Sequence, residues 1–317
     1  MKLMLQPSWW LALAVLMLAG EPAIHAATPK TSTPAASAPA KPPRKNTIAR
    51  DPYLGAIAVD AASGRILFED RPDAKGYPAS VLKLMDLLII LERIEQRQLS
   101  FQDQVTVSAR AARIGGSQVY LAEKEVFSVD ELLYALMVQS ANDAAMALAE
   151  KVAGTAEAFV ELMNQRAREL GLTSTTFHSV HGLPPGAGQQ PDVTTARDFA
   201  RLGRELLKHK DALRYTSTRG RPFRPNGGLK LVVMRNHNHL LGRVEGCDGF
   251  KTGHFTEAGF SIAVTAARKD RRVIAVVLGS ADRKVRDAKA AELVAKGFAA
   301  LPAAPTPAAK PSAAPKK

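Results

Sequence analysis

Leu54-Gly-Ala-Ile-Ala-Val-Asp60 and Arg65-Ile-Leu-Phe-Glu69 flank Ala61-Ala62-Ser63-Gly64. Two short apolar runs around a turn of small residues are a β-hairpin signal. A lone hairpin has too little to bury, and its partners stand at the far end of the chain. There, residues 260–267 and 272–279 (the latter Arg-Val-Ile-Ala-Val-Val-Leu-Gly) read as strands separated by a charged turn. Between these ends the period changes. Residues 80–97 form a strongly apolar helix whose polar residues gather toward its end, and 129–152 and 155–170 read as further helices. A last helix over 287–298 closes the body. Strands at both ends with helices between them predict an α+β fold: one antiparallel sheet built from distant segments, flanked by helices, with a helical subdomain. No internal repeat is found.

Moving outward, the 317 residues suffice for one large domain or two modest ones, and 46% hydrophobic content supports a buried core. The single cysteine, Cys247, excludes an internal disulfide framework and a thiolate zinc cluster, and a lone thiol is compatible with an oxidising compartment. Met1-Lys2 precedes an apolar run from Trp9 to Ala19, and small residues follow up to Ile24-His25-Ala26. That order is expected of an export leader (1–26) cleaved after Ala26, since the run falls short of the roughly 20 residues of a membrane-spanning helix. An uncleaved anchor is the alternative. Residues 27–48 and 301–317 are rich in Pro and Ala with scattered Lys and are expected to be a disordered linker and a disordered basic tail. The folded body is then 49–300. The formal charge is +13, of which seven linker and tail cations account for more than half. Such a balance draws a protein to anionic polymers. Export argues against nucleic acid and for wall polymers or anionic lipid surfaces.

Three short motifs occur once each and in order: Ser80-Val-Leu-Lys83, Ser140-Ala-Asn142 and Lys251-Thr-Gly253. A serine hydroxyl needs a base within hydrogen-bond reach to act as a nucleophile. Residues three apart on a helix share a face, so Ser80 and Lys83 meet one turn apart if a helix begins at about Ser80. Pro78 just before supports that start. The N–H of Ser80 itself would then serve a developing oxyanion. Lys83 must be partly neutral to accept a proton, and apolar neighbours with Lys251 close by would depress its pKa. Ser140 suits a proton relay. The Asn142 amide suits a substrate carbonyl and the lysine together. Lys251 and Thr252 are expected on an edge strand, Gly253 allows a close backbone approach of substrate, and the N–H of His254 is a second oxyanion donor. Singly, Ser-x-x-Lys and Ser-x-Asn recur about once by chance in a chain of average composition. Their order with Lys-Thr-Gly carries the weight. The plain alternatives are a helix cap for Ser80, a surface amide for Asn142 and a solvated charge for Lys251.

The longer stretches Pro78-Ala-Ser-Val-Leu-Lys-Leu-Met85, Gln139-Ser-Ala-Asn-Asp-Ala144 and Asp248-Gly-Phe-Lys-Thr-Gly-His254 resemble those of the serine D-alanyl-D-alanine carboxypeptidases, the low-molecular-mass penicillin-binding proteins. So do Gly115-Gly-Ser117, His181-Gly-Leu183 and Thr195-Ala-Arg-Asp198, and the resemblance spans residues 50–298. It implies a β-lactamase/DD-peptidase-like fold. It implies catalytic Ser80, Lys83 and Ser140, with Asn142, Lys251, Thr252, Gly253 and His254 binding substrate. It further implies peptidoglycan stem peptides ending in D-Ala-D-Ala as substrate, β-lactam antibiotics as inhibitors, and no cofactor or metal. The substrate's free carboxylate calls for cations, and the resemblance adds Arg286 to Lys251 and Thr252; a helix-start surface charge is the alternative for Arg286.

Leu82 stands where the family often has threonine. Many members also continue into a β-rich domain and an amphipathic anchor, whereas this chain ends in a Pro/Ala/Lys tail, which leaves membrane association open. A DD-endopeptidase of the same fold and a non-catalytic penicillin- or wall-binding protein are the competing readings. A β-lactamase would need a deacylating glutamate, and Glu161 falls inside a helical run. His178, His181, His237 and His239 have no Gly-x-Ser-x-Gly elbow to serve and are expected to orient loops.

Overall fold

The computed structural model describes residues 47–224 and 231–302. The expected leader, the linker up to residue 46 and the tail beyond residue 302 lie outside the described residues.

Gly55–Asp60 (β1) and Ile66–Asp70 (β2) form the expected hairpin. Asp60 closes its turn by accepting from the backbone N–H groups of Ala62 and Ser63. A 3-10 turn over Ala79–Leu82 leads into Lys83–Glu95 (α1). Gln104–Thr106 (β3) pairs with Val126–Ser128 (β4), with Ala109–Arg113 (α2) between them. The single helix expected over 129–152 is in fact broken. Val129–Tyr134 (α3) begins with a capping box between Ser128 and Glu131, widens into a π turn over Ala135–Gln139, and stops where Ser140 adopts φ 61°. The chain then restarts as Asn142–Ala153 (α4). Ala156–Glu169 (α5) follows, capped by Thr155, and then Ala196–Leu206 (α6), capped by Thr195, and Ala212–Thr216 (α7). A second small hairpin, Gly220–Phe223 (β5) and Val232–Arg235 (β6), precedes three long strands: Cys247–Phe255 (β7), Gly259–Arg268 (β8) and Arg271–Ser280 (β9).

The closing helix, Arg283–Ala300 (α8), starts four residues before its expected place at 287. Asp282 caps it by accepting from Lys284 N and Val285 N, an acid before a helix start that marks the true boundary. No described helix is long and apolar enough to cross a membrane.

The main sheet has the order β2-β1-β9-β8-β7, and every neighbouring pair in it is antiparallel. The hairpin at the chain's start thus joins the sheet through β9. Alternate residues of β9 face opposite ways, so that Val273, Ala275 and Val277 pack with Leu293, Val294 and Phe298 of α8. Ile274, Val276 and Leu278 pack on the other face with α1 and α6. Burial on both faces is why β9 is a continuous apolar run rather than an alternating one. Helix α1 is apolar on all sides because it lies in the middle of the second layer. Leu84, Met85, Leu87, Leu88 and Ile90 are wholly buried, each worth about 1.5–3 kcal/mol relative to exposure. The 3-10 turn at its start touches β7, the edge strand. The site forms at that meeting point.

Candidate active site

Residues 80 and 83 meet by a different local geometry from the one expected. Ser80 sits in the 3-10 turn, in which residues three apart eclipse, and α-helical geometry begins at Lys83. The turn is entered through Ala79 at φ 47°, a left-handed conformation costly for a residue with a Cβ. Lys83 Nζ lies 3.0 Å from Ser80 Oγ, 2.8 Å from Asn142 Oδ1 and 2.7 Å from the backbone carbonyl of His181. Lys83 is fully buried, and burial brings its pKa down to about 7, although Asp86, Asp192 and Asp143 act in the opposite sense. At that value a large fraction is the neutral amine. Its two hydrogens go to Asn142 Oδ1 and His181 O, which leaves its lone pair for the hydroxyl hydrogen of Ser80.

Ser140 is buried on its left-handed corner and, with Ser80 and Asn142, lines a cleft of about 400 Å³. Asn142 Nδ2 donates to Gly115 O at 2.8 Å, so one side of its amide is committed to the wall and its oxygen to Lys83. Lys251 and Thr252 stand on β7, paired with Ala263 and Ile262 on β8, and the other edge of β7 is unpaired in the sheet. Lys251 is buried, and desolvation together with the charges of Lys83 and Arg286 pushes its pKa well down. Arg286 is also buried, donates to Ser261 O at 3.2 Å, pairs with Asp287 at 2.6 Å and faces the cleft. The ring of His254 stacks on Phe260 with centroids 3.9 Å apart, and both line the cleft.

Gly253 does something the sequence did not suggest. A Cβ there would meet Pro78 O at 2.5 Å and the backbone nitrogens of Ser80 and Val81 at 2.9 Å. The close approach it permits is that of the Ser80 turn itself. Gly182, at φ 73°, does the same from the opposite side, where a Cβ would sit 2.3 Å from Ala79 O. Two glycines therefore clamp the serine turn between an edge strand and a loop.

Two buried acids hold this frame and a third, Asp86, lies beside Lys83; sequence reasoning missed all three. Asp143 accepts from Val119 N and Leu121 N and fixes the loop opposite Ser140. Asp192 accepts from His178 N, Ser179 N and Ser179 Oγ and fixes the loop that presents His181 O. Burial raises the pKa of both. Asp86, three residues beyond Lys83, is fully buried, neither carboxylate oxygen has a protein partner among the described residues, and desolvation raises its pKa well above the usual range. Only the position of Asp143, directly after Ser-x-Asn, offered a signal.

His237 and His239, expected to orient loops, line the cleft, whereas His181 contributes its carbonyl and orients Leu183 N through Nδ1 at 3.1 Å. Glu161 lies exposed on α5 and does not line the cleft. Cys247 is half-buried at the start of β7, its thiol pKa raised to about 11 by burial. The carboxylates of Glu92 and Glu205 and the ring of His209 come within 4.8 Å of one another, but around Arg166, which lies 2.7 Å from Glu92 and 3.0 Å from Glu205.

A lysine facing the serine, where a Ser-His-Asp site would have a histidine, puts this fold in the class of the DD-peptidases. The chain belongs to the D-alanyl-D-alanine carboxypeptidase family, whose model matches residues 44–282. It is 33% identical over 243 residues to D-alanyl-D-alanine carboxypeptidase DacF of Bacillus subtilis, covering 77% of this chain and 61% of that one. It is 36% identical over 250 residues to D-alanyl-D-alanine carboxypeptidase DacC of Escherichia coli, covering 76% and 60%. The chain thus spans about three fifths of the length of these curated relatives. Among solved structures, penicillin-binding protein D2 of Listeria monocytogenes in its ampicillin-bound form matches with a TM-score of 0.68 and 31% identity, over 78% of this chain and 97% of that one. The carboxypeptidase DacD of Francisella tularensis matches with a TM-score of 0.72 and 28% identity, over 82% and 74%.

Proposed function

We propose that the chain is an exported serine D-alanyl-D-alanine carboxypeptidase that removes the terminal D-alanine from peptidoglycan stem peptides and is acylated by β-lactams. One observation carries this: a buried amine 3.0 Å from Ser80 Oγ, with acceptors already in place for its two hydrogens.

Lys83 takes the hydroxyl proton as Ser80 Oγ bonds to the carbonyl carbon of the penultimate residue. The N–H groups of Ser80 and His254 stabilise the oxyanion. Ser140 passes a proton to the departing amine, the amide C–N bond breaks, and free D-alanine leaves. Water, deprotonated by the same lysine, then releases the acyl group from Ser80. Thr252, Lys251 and Arg286 hold the substrate's terminal carboxylate, a charge-assisted pairing that favours a free C-terminus. Arg286, buried and lining the cleft, supplies a positive charge that suits that anion. The stacked His254 and Phe260 form an apolar wall beside the scissile bond.

The test is D-alanine release from a diacetyl-Lys-D-Ala-D-Ala peptide together with labelling by a fluorescent penicillin. Both are expected from the wild-type protein, and neither from Ser80→Ala. Labelling without release would replace this reading with a penicillin-binding protein lacking carboxypeptidase turnover.

A further inference from the structure

Among the described residues, the large apolar side chains that stand exposed are Ile66, Tyr120, Val126, Leu231 and Val233. Four of the five gather around the β5–β6 hairpin. Leu231, just before β6, is 59% exposed, and Val233, within it, 62%. Tyr120 accepts through its carbonyl from Arg224, directly after β5, and Val126 adjoins Phe127, whose ring lies 5.0 Å from that of Phe223. The register of the hairpin explains the exposure. Pro222 pairs with Val233 and Gly220 with Arg235, so these residues share one face, while Phe223 and Met234 pack into the core from the other. The outer face of such a ribbon is ordinarily polar; here it carries Pro222 and Val233.

Cations surround that apolar centre. The outer face borders a groove of about 750 Å³ lined by Arg219, Arg221, Arg235 and Arg243, and no acidic residue lines it among the described residues. None of the four has an ion-pair partner among the described residues. Elsewhere Arg197, Arg272 and Arg166 are each paired with carboxylates. Exposed apolar side chains gain by meeting something apolar, and unmatched guanidinium groups by meeting anions. A second copy of the chain supplies the first and not the second, since a twofold contact here would set arginines against arginines. A soluble anionic polymer supplies the second and leaves Leu231 and Val233 in water. An anionic bilayer supplies both: phosphates for the arginines and, just beneath them, acyl chains for the apolar pair.

We propose that the outer face of the β5–β6 hairpin is an interfacial surface for anionic lipid bilayers, with Leu231 and Val233 entering the headgroup layer and Arg219, Arg235 and Arg243 meeting lipid phosphates. This surface belongs to the folded body and is separate from the basic tails. His239 lines both the groove and the cleft, so the seated protein holds its cleft beside the bilayer.

The experiment puts a reporter on the hairpin. Leu231→Trp in the full chain is mixed with vesicles of phosphatidylcholine alone or with added phosphatidylglycerol. Trp9 and Trp10 are the protein's two tryptophans, and the wild-type emission is subtracted as background. The introduced indole is expected to shift to the blue with the anionic vesicles alone and to be quenched by lipids brominated along the acyl chain. Arg235→Gln/Arg243→Gln, added to the reporter, should weaken vesicle binding about thirtyfold, as the loss of two cations from a charged surface implies. Without the reporter, Leu231→Gln/Val233→Gln should cosediment with anionic vesicles less than the wild type does. Thermal melts report that each variant is folded, so the outcome does not depend on the carboxypeptidase reading. An indole unshifted by anionic vesicles, or shifted equally by neutral ones, would overturn the proposal. Tight polyphosphate binding, lost in the arginine variant, would then assign the groove to a soluble polymer, and a shift that follows protein concentration without lipid would assign the face to a second copy.

Discussion

Lys83 and His181 are joined by a 2.7 Å hydrogen bond across 98 residues of sequence, the ammonium or amine donating to a main-chain carbonyl. A carbonyl cannot change its charge, so it orients Lys83 in either protonation state. The lysine is free to gain or lose a proton without losing its position.

Acylation should therefore follow the protonation of Lys83, whose pKa burial lowers to about 7. Below that value the lysine is a cation with no lone pair to accept the serine proton; above it the amine is neutral and competent. The rate of penicillin acylation is expected to fall about tenfold per pH unit on the acid side and to level off above it. A stopped-flow profile that stays flat down to about pH 5 would exclude Lys83 as the base.

Asp86 favours the protonated form of Lys83 whenever its carboxyl is ionised, which burial resists. Asp86→Asn removes that charge at nearly constant shape, so the amine should become neutral at lower pH. The acid limb of the same profile is expected to move toward acid, with the plateau rate retained. A limb superimposable on the wild type would mean that Asp86 stays protonated throughout.

Gly253→Ala places a methyl group 2.5 Å from Pro78 O, on rigid backbone on both sides. The serine turn must retreat from β7 or the edge strand must bend. A stability loss of about 1–3 kcal/mol and a drop in acylation of at least about tenfold are expected, from thermal melts and labelling rates. Unchanged kinetics would show that the turn tolerates displacement.

Asp192→Ala leaves two backbone N–H groups and the Ser179 hydroxyl without their acceptor. The loop carrying His181 should loosen, with about 2–4 kcal/mol lost in denaturant unfolding and slower acylation at every pH. A pure shift of the pH profile at unchanged stability would mean that Asp192 acts only through its charge.

The architecture was legible where periodicity and buried runs are strong. The hairpin before Asp70, the apolar α1 and the continuous run of β9 all declare themselves by pattern alone. The motif residues were legible because Ser80, Ser140 and Lys251 each sit at a fixed local spacing from a partner. What escaped was set by tertiary contact. The break of the helix at Ser140 has no glycine or proline to announce it; the corner is held by Ser117, which donates to Gln139 O at 2.6 Å and accepts from Asn142 N at 2.7 Å through its carbonyl. Asp192 and Asp86 read as ordinary polar residues, since nothing in their neighbours tells that they are buried. The packing of Gly253 and Gly182 on the serine turn joins residues far apart along the sequence, which no local window contains.

The position of β9 between β1 and β8 bears on how the protein is born. The strands made first wait for the strand made last, and Lys251 and Arg286 follow Ser80 by most of the body's length. A nascent polypeptide thus carries Ser80 and Lys83 long before Lys251 and Arg286 are made. The candidate site is complete only when β9 lies between β1 and β8 and α8, which follows it, has brought in Arg286.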